Sequence, residues 1–470
     1  MLAIRRVAQF IESLDFDTLP ADVVDECKRQ VLDAITTVIA AHSVSGGRMA
    51  AEVGTLMGGN GRSTILGAAR PTCASASAFA NTQMSISLDL GSNLFFSQGL
   101  QGLVIFPALA LAEERGLSGR ALIESVAAGF EVGGRVGLSF PPPHWPSRDG
   151  KTISGDDRPR NRWIIFGAGA SVARILGLPT DGAVHVLAMA GDASPPPPSG
   201  RLYRGKWSMS KYGMAGLLAA AVQYCGLLAE RGFTADERLL DDEDGFHAAQ
   251  GSALHDRDAL TRDLGQRWVI REANFKRYPS GTHNQQALHA FAELLSTQNL
   301  TAERIESVVV GRAIGTSGPF ANINPETYVE AQFSLPFGIA ALAHGIPAEE
   351  WPTAVASPGV ADLAQRVVLR VDDEAVQEFT ESWHRGECYD PWRLRSRVEV
   401  RGAEGVARAW SDYGRVTTEE LANKCRMYLA ATFEARRVEE VITAVDHLEE
   451  LTDVTDLTRL LVPASSPAAS

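Results

Sequence analysis

Residues 274–290 read NFKRYPSGTHNQQALHA, and this stretch decides both the fold and the place to look for chemistry. Just before it, Trp268, Val269 and Ile270 suit a short buried strand. Pro279, Ser280 and Gly281 then break the chain, and residues 284–295 carry an apolar stripe at helical spacing. His283 is therefore expected at the mouth of a helix. Backbone N–H groups at a helix start are unpaired and carry partial positive charge, so an anion beside His283 would meet ready donors. Lys276 and Arg277 add two cations just before the turn. A titratable imidazole, a helix start and two cations suit a carboxylate substrate. The plainer reading, a surface histidine near a cap, has to be weighed against the rest of the chain.

Outward from this stretch the pattern differs on the two sides. Toward the N-terminus, apolar residues recur at helical spacing over residues 4–46, with Asp22 as a cap for a helix over 23–41. Further helices are predicted over 74–89, 102–115, 118–136, 163–178, 180–190 and 212–231, with Gly116 as a stop. Toward the C-terminus, β-like runs at 267–272, 305–312, 366–371 and 396–401 alternate with helical stretches at 284–295, 329–343 and 360–365. Helix returns from 417 to 451. The fold class expected is mostly α with a smaller α+β domain: residues 1–266 with 411–461 form an all-helical domain, residues 267–410 the α+β domain, and residues 462–470 a disordered tail.

The chain has 470 residues, 45% hydrophobic and 21% charged, with a formal net charge of −13. Such an acidic surface repels polyanions, so nucleic acid and anionic membranes are not expected partners. Five cysteines without CxxC spacing suit a reducing compartment, and a cytoplasmic location is expected. The N-terminal apolar run carries charges and reads as an amphipathic helix rather than a signal peptide. There is no HExxH, HxH or CxxC, so no metal is expected. A strand-led GxGxxG and a GxSxG elbow are also missing.

One local exception stands out against the acidic background. Between Asp192 and Glu230 there is no acidic residue, while Arg201, Arg204, Lys206 and Lys211 all fall inside. Partly desolvated cations of this kind would hold a small carboxylate; a solvated basic loop is the plainer alternative. Asp89, the sole charge in ANTQMSISLDLGSN, is either a surface loop residue or a buried partner that orients a lysine or histidine. His185 and His344 lie on apolar helical faces as core residues, and His144, in the loop PPPHWP, is expected to face solvent.

Five segments resemble the MmgE/PrpD family over nearly the whole chain. AFANTQMSISLDL is similar to the family's helix that ends in an aspartate, and FPALALAEERGLSGRALIESVAAGFEVGGRVG to the block that follows. WSMSKYGMAGLLAAAVQYCGLLAERGFTA resembles the segment with the active-site lysine and places it at Lys211. NFKRYPSGTHNQQALHA resembles the family's turn and histidine, matching His283 and, in one branch, Gln285. EAQFSLPFGIAALAHG is similar to a helix of the lid domain. The resemblance implies a helical domain built from both chain ends, an α+β lid, a homodimer and no cofactor. It implies catalytic roles for Lys211, His283 and Asp89. With the cationic stretch and the turn read above, the substrate site is expected among Arg201, Arg204, Lys206, Lys276, Tyr278, Gln285, Asn93 and Leu100.

Two departures bear on the activity. Leu100 stands about where the family carries a histidine, and the stretch RPRNRWIIF at 158–166 lacks another. The expected function is a lyase, dehydratase or decarboxylase, that abstracts a proton next to a carboxylate of a small acid. Loss of those histidines leaves two alternatives open: epimerisation of a dicarboxylic acid between Lys211 and His283, or a divergent paralogue whose pocket, lined by Leu100 and residues 94–96, takes a less charged ligand.

Overall fold

The computed structural model of the chain describes residues 1–94, 100–142, 144–155, 164–194, 207–252, 255–387, 392, 394–403 and 405–463. The N-terminal half is an array of helices: α1 (Ala3–Ser13), α2 (Ala21–Ala41), α3 (Ser45–Met57), α4 (Ala74–Ser85), α5 (Leu100–Arg115), α6 (Gly119–Ser139), α7 (Ile164–Ile175), α8 (Thr180–Asp192) and α9 (Ala215–Ala229). Gly116, at φ 63°, ends α5, and the Ser118 side chain accepts the Ala121 N–H at 3.3 Å to start α6. Small residues set how closely these helices pack. A Cβ on Gly133 of α6 would stand 3.1 Å from the Gly167 Cα of α7, so the two backbones meet with no side chain between them.

The α+β portion is built on a four-stranded sheet in the order β6-β5-β7-β8. Its strands are β5 (Ile305–Arg312), β6 (Val367–Val371), β7 (Ser396–Gly402) and β8 (Gly405–Trp410), after two short hairpins β1–β2 (Ser63–Thr64, Pro71–Thr72) and β3–β4 (His144–Pro146, Ile153–Gly155). β5 runs parallel to β6 and antiparallel to β7. The helices of this portion are α10 (Thr282–Thr297), α11 (Leu335–Ala343), α12 (Pro358–Ala364) and α13 (Asp373–His384). Leu288 and Phe291 of α10, Val308 and Val310 of β5, Phe337 and Trp351 form a hydrophobic cluster separate from the one that fills the helical half. Helices α14 (Thr418–Leu429) and α15 (Ala435–Asp446) pack on α2, so both ends of the chain meet in the helical body.

Three local expectations are corrected. Residues 268–270 form no strand; Val269–Glu272 is a 3₁₀ turn, because the Val269 N–H donates to the buried Glu131 carboxylate at 2.8 Å instead of to a neighbouring strand. Asp22 does not cap α2, whose N-cap is Pro20; it pairs with Arg271 at 2.6 Å. The helix expected over 329–343 is two, Tyr328–Ala331 and α11, since Ser334 accepts the Phe337 N–H at 3.0 Å and starts a new helix with Pro336 in its first turn. Among the described residues, no helix is long and apolar enough to cross a membrane.

Candidate active site

The site begins at the turn after α4. Asp89 takes φ 55°, a left-handed conformation that a short polar side chain tolerates better than most. The turn is fixed from beneath by a buried ion pair, Lys424 with Asp33 at 2.6 Å; Lys424 also donates to the Leu90 carbonyl at 2.9 Å, and the Ser92 N–H donates to Asp33 at 2.8 Å. Thus α2 and α14, from opposite ends of the chain, jointly hold the Asp89 turn. Asn93 and Asn274 exchange backbone hydrogen bonds of 2.9 and 3.1 Å, which brings residues 274–276 alongside that turn. Lys276, fully buried, then donates from Nζ to Asp89 Oδ1 at 2.8 Å and to the Asp89 carbonyl at 3.0 Å. Tyr212 donates its hydroxyl to the same Oδ1 at 3.0 Å. Asp89 Oδ2 is buried and accepts no hydrogen bond among the described residues.

Lys211 reaches the site from the segment before α9. Its ammonium donates to Gln332 Oε1 and lies 5.0 Å and 5.2 Å from the ring centres of Tyr212 and Phe333. Trp207 stacks on Phe333 at 3.7 Å, so the lysine has an aromatic, poorly hydrated wall. Burial brings the Lys211 pKa down to about 8; the Asp89 charge opposes that shift and the Lys276 charge adds to it. Burial also lowers Lys276, against the pull of Asp89. Asp89 is pushed up by burial, but the two ammoniums outweigh this and hold it below the usual carboxylate range.

Gln332 ties Lys211 to the His283 turn. Its amide donates to the Ser87 carbonyl at 2.8 Å, and its own carbonyl accepts from Ser280 Oγ and the Gly281 N–H, both at 2.8 Å. His283 is the second residue of α10, at the helix mouth as the sequence predicts. Its ring stands edge-on to Phe320, centroids 5.4 Å apart. Burial drives its pKa well below the ordinary value, with His144, Arg312 and Lys276 adding to the shift and Asp89 opposing it. Burial thus favours the neutral form of the ring. Arg312, at the end of β5, donates from Nη1 to the His283 carbonyl at 3.0 Å and to Asn284 Oδ1 at 3.2 Å.

His144 requires a correction. It does not project into solvent: the β3–β4 hairpin, made by the proline-bearing insertion, is half-buried at this residue and sets its ring 5.9 Å from that of His283. An imidazole thus stands near His283 although Leu100 and residues 158–166 offer none.

Of the residues expected at the site, Asp89, Lys211, Lys276 and His283 are brought together. Asp89 bonds to Lys276 and Tyr212; its link to Lys211 and His283 is through charge. Asn93 joins through its backbone, and both polar atoms of its buried side chain lack a hydrogen-bond partner among the described residues. Gln285 holds the turn itself: Oε1 accepts the Arg277 and Tyr278 N–H groups at 3.1 and 3.2 Å, and Nε2 donates to the Tyr278 and Ser280 carbonyls. Tyr278 stacks on Trp351 at 5.9 Å in the core of the α+β portion. Leu100 packs at the α6–α7 crossing, against Gly133 and Gly167, rather than in the site. Arg201, Arg204 and Lys206 lie outside the described residues, as do residues 95–99 and 156–163.

Sequence reading missed Tyr212, Gln332, His144 and Arg312. Tyr212 follows Lys211 directly, and Gln332 lies in the quoted EAQFSLPF segment, so both were within reach. Arg312 ends β5 after the apolar run of Val308, Val309 and Val310, and a charge at a buried position is itself a signal. A cleft of about 950 Å³ lined by Arg135, Arg262, Arg267, Arg271 and Arg415 lies apart from these groups. Its guanidiniums are all neutralised by acids: Glu131, Asp256, Glu272, Asp22 and Glu26 respectively.

The fold and site together define a helical protein with an α+β portion and a buried lysine–aspartate–lysine centre. Residues 5–253 match the MmgE/PrpD N-terminal domain and residues 278–450 the MmgE/PrpD C-terminal domain, and the chain belongs to the MmgE/PrpD family. It is similar to cis-aconitate decarboxylase of Aspergillus terreus, 23% identical over 500 residues that span 98% of this chain and 96% of the relative. A second cis-aconitate decarboxylase, from Aspergillus terreus strain NIH 2624, is 23% identical over the same shares of the two chains.

Proposed function

We propose that the protein is a lyase that, without a cofactor, removes a proton next to a carboxylate of a small acid and expels water or carbon dioxide. The observation that carries this reading is that Gln332 joins two buried groups, accepting from the Lys211 ammonium through Oε1 and holding the turn before His283 through its backbone carbonyl; burial lowers the pKa of both, Lys211 to about 8. His283 accepts the proton from carbon. In dehydration the Lys211 ammonium gives one to the departing hydroxyl. In decarboxylation the bonding pair of the lost carboxylate stays on the substrate, the Lys211 ammonium protonates the carbon that holds it, and the proton taken by His283 is returned to the substrate. Lys276 and Lys211 stabilise the enolate-like charge in between, in a setting where burial strengthens each interaction. Asp89 keeps Lys276 and Tyr212 in place. Arg201, Arg204 and Lys206 are assigned to hold a substrate carboxylate. The resemblance to cis-aconitate decarboxylase supports a di- or tricarboxylic acid as substrate. Proton NMR in D₂O with cis-aconitate, citrate and imino-dicarboxylic acids tests it: new vinylic signals or loss of carbon dioxide establish a lyase, whereas deuterium exchange without elimination would replace it by an epimerase.

Residues 267–410 act in this reading as a lid over a body made of residues 1–266 and 411–461, supported by the two separate hydrophobic clusters. Hydrogen exchange that slows in the lid when an acid binds is expected; unchanged exchange counts against a lid. The working unit is a homodimer. Met49, Val53 and Leu56 of α3 and Leu217, Tyr224 and Leu228 of α9 are large apolar side chains exposed along two helix faces. Light scattering at the mass of two chains is expected, and of one chain contradicts the assignment.

A further inference from the structure

Arg312 has a charge that no acid among the described residues balances. The residue is 3% exposed, and among the described residues no carboxylate pairs with it. Its donors go to neutral oxygens: Nη1 to the His283 carbonyl and Asn284 Oδ1, Nη2 to the Gly315 carbonyl. Among the described residues Nε is buried and donates to nothing, and Nη2 has used one of its two hydrogens. Two N–H groups on adjoining nitrogens are left open, the fork that a carboxylate spans with two oxygens. Phe320 covers one face of the guanidinium, its ring centre 5.6 Å from Cζ.

A buried guanidinium without an anion is costly, because desolvation is not returned by any partner. Burial is the whole cause of the fall of its pKa to about 9, with no neighbouring acid holding it up. A residue that served only to tie down the His283 carbonyl and the Gly315 turn would need no charge for it. Arg312 reaches the His283 backbone carbonyl, its charge acts on the His283 ring, and Phe320 touches both groups, at the start of α10, whose helix dipole also favours an anion.

We infer that Arg312 is a specificity-determining carboxylate site: the substrate carries a second carboxylate, seated on the Nε and Nη2 edge of Arg312, while the carboxylate next to the reacting carbon lies toward Lys211 and Lys276. This inference rests on the proposed site at Lys211 and His283. The anion that docks at Arg312 also draws the His283 pKa upward from its low value in the free protein, toward the range where an imidazole is an effective base.

Calorimetric titration of the full chain with cis-aconitate, citrate, itaconate and succinate, and with crotonate as a one-carboxylate probe, tests the inference on wild type, Arg312→Lys and Arg312→Met. Wild type is expected to bind at least one of the di- or tricarboxylates. Arg312→Met weakens that binding about 10- to 100-fold, and Arg312→Lys, which keeps the charge without the fork, falls between. Crotonate binding, if measurable, is unchanged in all three, a pattern that a general loosening of the His283 turn does not produce. Equal binding of the multicarboxylates by wild type and a folded Arg312→Lys and Arg312→Met would overturn the role of Arg312 and leave the lyase reading standing. Failure of wild type to bind any of them would overturn both.

Discussion

Replacing Asp89 by Asn removes a carboxylate that faces the buried Lys276 and Lys211 ammoniums. The Lys276 to Asp89 pair, at 2.8 Å and with both side chains fully buried, has a Coulomb attraction on the order of 6 kcal/mol at an effective dielectric constant of about 20. The measurable loss is smaller, because Lys276 can shed its proton when its partner is gone. Starting from an unfolded-state value of 10.5, neutralising a lysine at pH 7 costs at most about 5 kcal/mol, and at pH 9 about 2 kcal/mol. The sign follows: in the variant the folded-state pKa lies further below the unfolded one, the unfolded chain binds more protons, and stability rises with pH. Urea denaturation of wild type and Asp89→Asn is expected to give a deficit of several kcal/mol at pH 7 that narrows by up to about 1.4 kcal/mol per pH unit toward pH 9. A deficit under about 1 kcal/mol at pH 7, or one that does not change with pH, would refute the placement of Asp89 as the counter-charge of Lys276.

Two further predictions concern protonation. With Lys211 as acid and its pKa at about 8, turnover is expected to fall about tenfold per unit above pH 8; a rate that climbs through pH 8 instead makes Lys211 the base. Away from the site, burial raises Glu113 to about 7, against hydrogen bonds from Thr64 and Thr458. Its folded pKa is above the unfolded one, so its contribution is full below pH 4.5 and is lost as pH rises through about 7. Glu113→Gln should remove a decline on the order of 3 kcal/mol over that window in denaturation experiments, and an unchanged pH slope would contradict the assignment.

What the sequence made legible was local. The helix at His283 follows from Pro279, Ser280 and Gly281 ahead of an apolar stripe, and β5 from an alternating Val-rich run, because both patterns are written in neighbouring residues. The isolated aspartate at 89 and the cation-rich stretch holding Lys211 were visible as departures from their surroundings. What was not legible depends on distant partners. Val269 and Ile270 have strand-like composition, yet the Glu131 carboxylate from α6 takes the Val269 amide. Whether Gln285 faces a substrate or closes its own turn is decided by geometry over eight residues and by Tyr413. His144 sits among prolines that read as surface, and only the pairing of β3 with β4 turns it toward His283. Leu100 stands where a histidine was sought, but its helix aims it at the α6–α7 crossing.

The central claim is that one buried site holds a neutral base at His283 and a protonated acid at Lys211 for elimination from a small carboxylic acid. Proton NMR in D₂O of wild type, Lys211→Ala and His283→Ala with cis-aconitate and citrate tests it most directly. The account predicts new vinylic signals or carbon dioxide loss with wild type and a fall of at least about 10² for each variant. Wild-type turnover by the His283→Ala protein, or solvent exchange in wild type with nothing eliminated, would contradict it.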